Sequence, residues 1–113
     1  RVSGSLDAHY APRTPMRIVA TAQLSETLAE LNRAGKSVGL LAHAVSSASC
    51  PAYSWCLLPD EPEGFARGFY AALRELDQGD NDLIVVEAIP SGADWWGVAD
   101  RLRRAGCGAG ESA

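Results

Sequence analysis

Little in this 113-residue sequence is of the kind that builds a reactive centre. It holds three cysteines and two histidines. Cys50, Cys56 and Cys107 do not pair evenly and show no C-x-x-C spacing, and His9 and His43 lie in different segments. A zinc site needs closer pairs, with histidines at turn or helical spacing, so no metal site is expected. Two readings of the thiols stay open: unbridged structural thiols in a reducing compartment, or a redox or metal pair between Cys50 and Cys56. No apolar run approaches the ~20 residues that span a bilayer, which excludes a transmembrane helix. Basic residues are not in excess, since 10 Lys and Arg stand against 14 Asp and Glu for a net charge of −4. Nucleic-acid surfaces carry a clustered basic excess, so no direct nucleic-acid contact is expected. Neither G-x-G-x-x-G nor G-x-x-x-x-G-K-[ST] occurs, which removes the dinucleotide fingerprint and the P-loop. No Ser/His/Asp set suggests a hydrolase.

What is present is an ordinary globular mix, 47% hydrophobic and 21% charged. The length suits one domain with a core of its own, burying roughly 65% of the unfolded surface. The chain opens on Arg1 without a basic n-region and apolar h-region, and so reads as a piece cut from a longer protein. Residues 1–15 read as a linker, polar at first and then punctuated by Pro12 and Pro15, which hold their predecessors extended. Residues 16–106 read as the folded domain, and 107–113 as a disordered, glycine-rich tail.

Within the domain, Met16–Ala20 is a first strand. Leu24, Leu28 and Leu31 then mark one helical face, capped by Thr21 or Ser25, with Gly35 suited to the left-handed residue past its end. Val38–Ala42 and Leu83–Val86 are short runs apolar on both parities, as in strands covered on both faces. Tyr53–Leu58 is a third strand between Pro51 and Pro59. Asp60 with Glu63 has capping-box spacing before a helix whose stripe is Phe65, Phe69, Leu73 and Leu76, with Arg67, Arg74, Glu75 and Asp77 on the wet face. A last helix is capped by Ser91 or Asp94 and lined by Trp95, Ala99 and Leu102, with Arg101, Arg103 and Arg104 near its end. Strands of this kind alternating with amphipathic helices predict a small, doubly wound, Rossmann-like parallel α/β sheet of about four strands with helices on both faces. Right-handed crossovers favour the strand order 2-1-3-4 or 3-2-1-4.

Such sheets bind ligands beyond the carboxyl ends of their strands. Thr21 and His43 follow the first two strands and are the candidate crevice residues. For His43 two readings stay open, a ligand contact or a strand-end side chain bonded to backbone or water. Trp95 is expected in the core and Trp96 at the helix edge or against another domain. In the linker, His9-Tyr10-Ala11-Pro12 sets two flat, polar-tipped side chains beside a conformational lock, which suits a segment folding over a ligand better than a plain tether.

His9-Tyr10-Ala11-Pro12 ahead of a strand resembles the linker between the two domains of the long, Sua5-type L-threonylcarbamoyladenylate synthases of the Sua5/YrdC/YciO family. Phe69-Tyr70-Ala71-Ala72-Leu73-Arg74-Glu75-Leu76-Asp77 is similar to the family's helix ending in ALR-x-LD. Asp82-Leu83-Ile84-Val85-Val86-Glu87 is similar to the strand after it, and Asp100-Arg101-Leu102-Arg103-Arg104-Ala105 resembles the closing N-R-L-x-K-A helix. The motifs keep the family's order along nearly the whole chain. The linker departs from the family's G-M-K-Y-R-H-Y-A-P in lacking its two basic residues and one tyrosine.

The resemblance implies a parent enzyme, a cytoplasmic nucleotidyltransferase that condenses L-threonine, bicarbonate and ATP (with Mg) into threonylcarbamoyl-adenylate with release of pyrophosphate, for the t6A modification of tRNA. Catalysis would belong to an amino-terminal YrdC-like domain acting in cis, with other t6A-pathway proteins as further partners. The present chain would be the accessory carboxyl-terminal domain, with no catalytic residue or cofactor of its own, inactive alone. Its linker residues His9, Tyr10 and Pro12 would act as a lid on the nucleotide site. The alternative is a free-standing, flavodoxin-like module that binds a small molecule or a partner.

Overall fold

The computed structural model describes residues 12–45, 52 and 54–109. Four strands form one sheet: β1 (Met16–Val19), β2 (Val38–Ala42), β3 (Ser54–Leu57) and β4 (Leu83–Glu87). Three helices accompany them, α1 (Leu24–Arg33), α2 (Pro62–Gln78) and α3 (Trp96–Ala109), with 3-10 turns at Thr21–Gln23 and Ala93–Trp95 leading into α1 and α3.

Every strand pair is parallel, as the sequence predicts, but the order is β1-β4-β2-β3 and not 2-1-3-4 or 3-2-1-4. The connection through α1 skips a place in the sheet, and β4 fills it. The strands' own composition explains the placement. β2 and β4 are buried at every position and take the two central places. β1 carries Arg17 and β3 carries Ser54 and the exposed Leu57, residues that an edge strand tolerates and a central one does not.

Alternation splits the core between the two faces of the sheet. Val19, Val38, Leu40, Ala42, Leu83 and Val85 pack under Leu24 and Leu28 of α1. Met16, Leu41, Ile84 and Val86 pack on the other face, under α2 and α3. The α2 stripe of Phe65, Phe69, Leu73 and Leu76 is buried as expected, each side chain worth about 1.5–3 kcal/mol of burial. In α3 the stripe is Val98, Leu102 and Ala105 behind Trp95, whereas Ala99 is exposed. Trp95 is in the core and Trp96 is 70% exposed.

The helix starts differ from expectation. No side chain caps α1, since Gln23 stands at its N-cap and Thr21 bonds elsewhere. Glu61, not Asp60, caps α2, its carboxylate accepting from the N–H groups of Glu63 (3.0 Å) and Gly64 (2.9 Å), with Pro62 in the first turn. Neither Ser91 nor Asp94 caps the last element, whose 3-10 turn starts after Gly92 without a side-chain bond. Gly35 does take the left-handed conformation beyond α1, with φ +79°. α3 runs on to Ala109, past residue 107 where the tail was expected to begin, so the arginine cluster lies mid-helix, with Arg103 and Arg104 both paired to Asp100.

Candidate functional site

All four strands point the same way, so the sheet has one carboxyl end, and there the polar side chains of the domain converge. Glu87, the last residue of β4, is fully buried. Its carboxylate accepts from the Thr21 hydroxyl at 2.6 Å and from the backbone N–H groups of His43 and Ala44 at 2.9 and 3.0 Å. Burial pushes this carboxyl up. The donors of Ala44, His43 and Thr21, together with the charge of the His43 ring, outweigh burial and hold it below its ordinary 4.5.

His43 follows β2 directly and is itself buried. Nδ1 lies 2.7 Å from Asp60 Oδ1, and Nε2 lies 2.9 Å from the Ala88 carbonyl oxygen. Both neighbours are acceptors, and each is met by the ring nitrogen that carries the proton. Nε2 is also 3.8 Å from Glu87 Oε1. The ring stands edge-on to Phe65 at 5.6 Å between centroids and is tilted against Trp95 at 5.9 Å, which fixes its plane from the core side.

Ala20, Ala44 and Ala88 follow β1, β2 and β4 with minimal side chains. They leave a cavity of about 350 Å³, whose walls also include Thr21, His43, Asp60 and Pro90. The structure therefore brings the two crevice candidates, Thr21 and His43, together around Glu87. Chemically the cluster is a set of satisfied hydrogen bonds, Glu87 held by Thr21 and two backbone N–H groups and the His43 ring held by Asp60 and the Ala88 carbonyl. The hydroxyl, both imidazole nitrogens and the buried carboxylate are engaged with one another, with Asp60 or with backbone, so none is poised as a nucleophile or general base. Of the two readings of His43, the strand-end residue bonded to backbone describes most of what it does.

Sequence reasoning missed Glu87 and assigned Asp60 to a helix cap. An acid closing a run as apolar as Leu83–Val86 was the available signal, because the pleat carries it onto a covered face. Asp60 is released for His43 because Glu61 takes the cap.

The opposite end of the sheet holds the incoming linker. Pro12, the last of the linker residues assigned to a lid, is buried. Arg13 N–H donates to Asp77 Oδ2 at 3.1 Å, and Thr14 donates to Asp77 Oδ1 from both its N–H (2.9 Å) and its hydroxyl (2.7 Å). Asp77 therefore holds the chain and is not simply on the wet face of α2. His9 and Tyr10 lie outside the described residues, as does Cys50.

Cys56 is a free thiol, half-buried against α2, and burial followed by the charge of Glu75 pushes it above its usual value, which disfavours the reactive thiolate. Among the described residues no three His, Cys, Asp or Glu side chains stand close enough to hold a metal ion. No helix among them is long and apolar enough to cross a membrane.

Comparison with known proteins gives one consistent result. The family described as the C-terminal domain of threonylcarbamoyl-AMP synthase, Sua5_C, matches residues 1–107. The threonylcarbamoyl-AMP synthase of Pyrococcus abyssi is 30% identical over 103 residues, which are 86% of this chain and 29% of that protein. The crystal structure of P. abyssi Sua5 complexed with L-threonine superposes with a TM-score of 0.74 at 27% identity, over 91% of this chain and 31% of that one. A crystal structure of the C-terminal Sua5 domain from Pyrococcus horikoshii gives a TM-score of 0.65 at 25% identity, over 80% of this chain and 91% of that domain.

Proposed function

The chain belongs to the Sua5 C-terminal domain family of the threonylcarbamoyl-AMP synthases, and on that basis we propose that it is the accessory domain of such an enzyme, bringing with it the linker that closes the catalytic site. The match across residues 1–107, which takes in linker and domain together, carries this reading. The chain spans 29% of the P. abyssi synthase, so the chemistry would reside in an amino-terminal YrdC-like domain acting in cis. There L-threonine, bicarbonate and ATP would give threonylcarbamoyl-adenylate, pyrophosphate and water, in a cytoplasmic pathway that supplies t6A to tRNA. Other proteins of that pathway are the further partners this role would bring.

The hydrogen-bonding of the strand-end cluster supports a non-catalytic part for this domain. Thr21, Glu87, the His43 ring and Asp60 are tied to one another and to the backbone, which suits a rigid support. ATP and its Mg would be held by the catalytic domain. His9 and Tyr10 would act as a lid does, by orienting the nucleotide and excluding water, and not by moving a proton.

The test is pyrophosphate release from ATP, L-threonine and bicarbonate. It compares the full-length protein carrying this domain, the isolated domain, and a full-length His9→Ala/Tyr10→Ala variant. The expected outcome is activity in the first, none in the second, and a loss of about tenfold or more in the third. An unimpaired double variant makes the linker a tether only. An inactive full-length protein refutes the reading and puts forward the rival, a free-standing binding module using the roughly 350 Å³ crevice.

A further inference from the structure

Arg17 is a cation that the fold leaves unanswered. It stands on β1 at the parity of Val19, so its side chain lies on the α1 face of the sheet. The residue is half-buried, and its Nε is the one buried side-chain nitrogen or oxygen among the described residues without a hydrogen-bond partner. No hydrogen bond or ion pair joins the guanidinium to another described residue. Taking part of a charged group out of water without pairing it is costly, and such a group calls for a partner that comes from outside.

Arg17 lines a cavity of about 240 Å³ at the amino end of the sheet. Pro15, Leu31 and Leu83 supply its apolar walls, and Lys36 and Asp82 supply the other charges. The Lys36 ammonium also has no partner among the described residues. Backbone bonds fix both charged positions. Lys36 N–H donates to the Leu31 carbonyl at 3.0 Å, just past the left-handed Gly35. Asp82 Oδ2 accepts from Ser37 N–H at 2.8 Å, and Asp82 N–H donates to the Ser37 carbonyl at 2.7 Å. Two cations and one carboxylate around a small, partly apolar space suit a compact ligand that carries an anion and a donor together. A carboxylate matches the guanidinium fork. An ammonium group beside it would answer Asp82, which would repel a phosphate dianion.

We propose that this cavity binds a small α-amino acid, with its carboxylate on Arg17 and Lys36, its ammonium on Asp82 and its side chain on Leu31 and Leu83. The space is smaller than the ~300–1,000 Å³ of pockets for drug-sized ligands, as a ligand of this class requires. The site lies away from the crevice at the carboxyl end of the strands, and the inference does not depend on the lid reading.

The experiment follows the Arg17 Nε–H and backbone amide signals of the isotope-labelled chain by NMR. Glycine, L-leucine, acetate and inorganic phosphate are each added to millimolar concentration. L-leucine should shift the Arg17 Nε–H and the Leu31, Lys36 and Leu83 amides saturably. Glycine, which leaves the two leucines uncovered, should bind more weakly, and acetate and phosphate more weakly still. Arg17→Gln should weaken L-leucine about tenfold or more, and Lys36→Gln to a smaller extent. Asp82→Asn, which keeps an acceptor for Ser37, should weaken L-leucine and tighten acetate. Should Arg17→Gln fail to fold, Lys36→Gln and Asp82→Asn, at exposed positions, carry the test. No response to any of the four compounds, or a response to L-leucine that these variants leave unchanged, overturns the proposal. Phosphate binding more tightly than L-leucine overturns it in favour of a phosphate site. Acetate binding as tightly as L-leucine overturns the part given to Asp82 and with it the amino-acid assignment.

Discussion

Glu87 concentrates the electrostatics of the domain in one side chain. An ionised carboxylate out of contact with water is tolerated only when its oxygens are bonded, and here three donors from two other segments meet it. Its carboxyl is held below the ordinary 4.5, so ionisation favours the folded state. The stability this gives is complete above the unfolded value and is lost as pH falls through the lowered folded value. The groups facing it are the His43 ring and the Thr21 hydroxyl, with Asp60 behind the ring. Glu87→Gln keeps the shape but sets an NH2 group against the backbone donors, and should cost about 2–4 kcal/mol at pH 7. Urea unfolding of both proteins at pH 7, 5 and 3.5 checks this, the gap between them narrowing only at the lowest pH. His43 is the structural counterpart, joining β2 to the carbonyl that follows β4 and to the loop ahead of α2.

Among the elements, β2 is the most constrained. It is central, buried throughout, and hydrogen-bonded on both sides. Gly39 faces α2 and the turn after it. A Cβ there would stand 2.7 Å from Asn81 Nδ2 and 3.0 Å from Leu76 Cδ2. Asn81 cannot simply move aside, because its amide donates to the Leu76 carbonyl at 2.9 Å and its oxygen accepts from the Ser54 hydroxyl at 3.2 Å. Gly39→Ala should therefore destabilise the domain by about 1–3 kcal/mol through overpacking, read as a lower midpoint in denaturant with an unchanged slope. The stop and start signals of the elements were only partly legible. Gly35 ends α1 as its conformational freedom suggests. The caps did not follow the preferred residue types, because Thr21 and Asp60 are drawn away by Glu87 and His43 across the sheet's end.

For the whole molecule, the sheet is the shared floor of two apolar layers, one under α1 and the other under α2 and α3. β2 and β4 contribute to both, so the layers should fail together. Phe69→Ala, a fully buried site on the α2 side, should cost about 3–5 kcal/mol. It should lower hydrogen-exchange protection in α1 on the far face as much as in α2, as one cooperative unit requires. Loss of protection confined to α2 and α3 would contradict this. The parallel sheet also gives the domain two distinct ends, the cavity at the carboxyl end and the chain held by Asp77 at the amino end.

The sequence by itself determined the strands, the helices and the faces they bury. Those follow from local periodicity, 3.6 along Phe65, Phe69, Leu73 and Leu76, and continuous apolarity in Val38–Ala42 and Leu83–Val86. It also carried the family, through short motifs kept in order along the chain. Strand order needed a comparison between strands and not within them: Arg17 and Ser54 mark edges only when set against the wholly apolar β2 and β4. Only the tertiary structure decided the roles of Glu87, Asp60 and Asp77. Each is an acid with an adequate local explanation, a strand end, a helix cap or a wet face. Each proves instead to hold a group 17 to 66 residues away in the sequence. A charged side chain takes whichever partners the fold brings within hydrogen-bond reach, and those partners are set by topology and not by spacing along the chain.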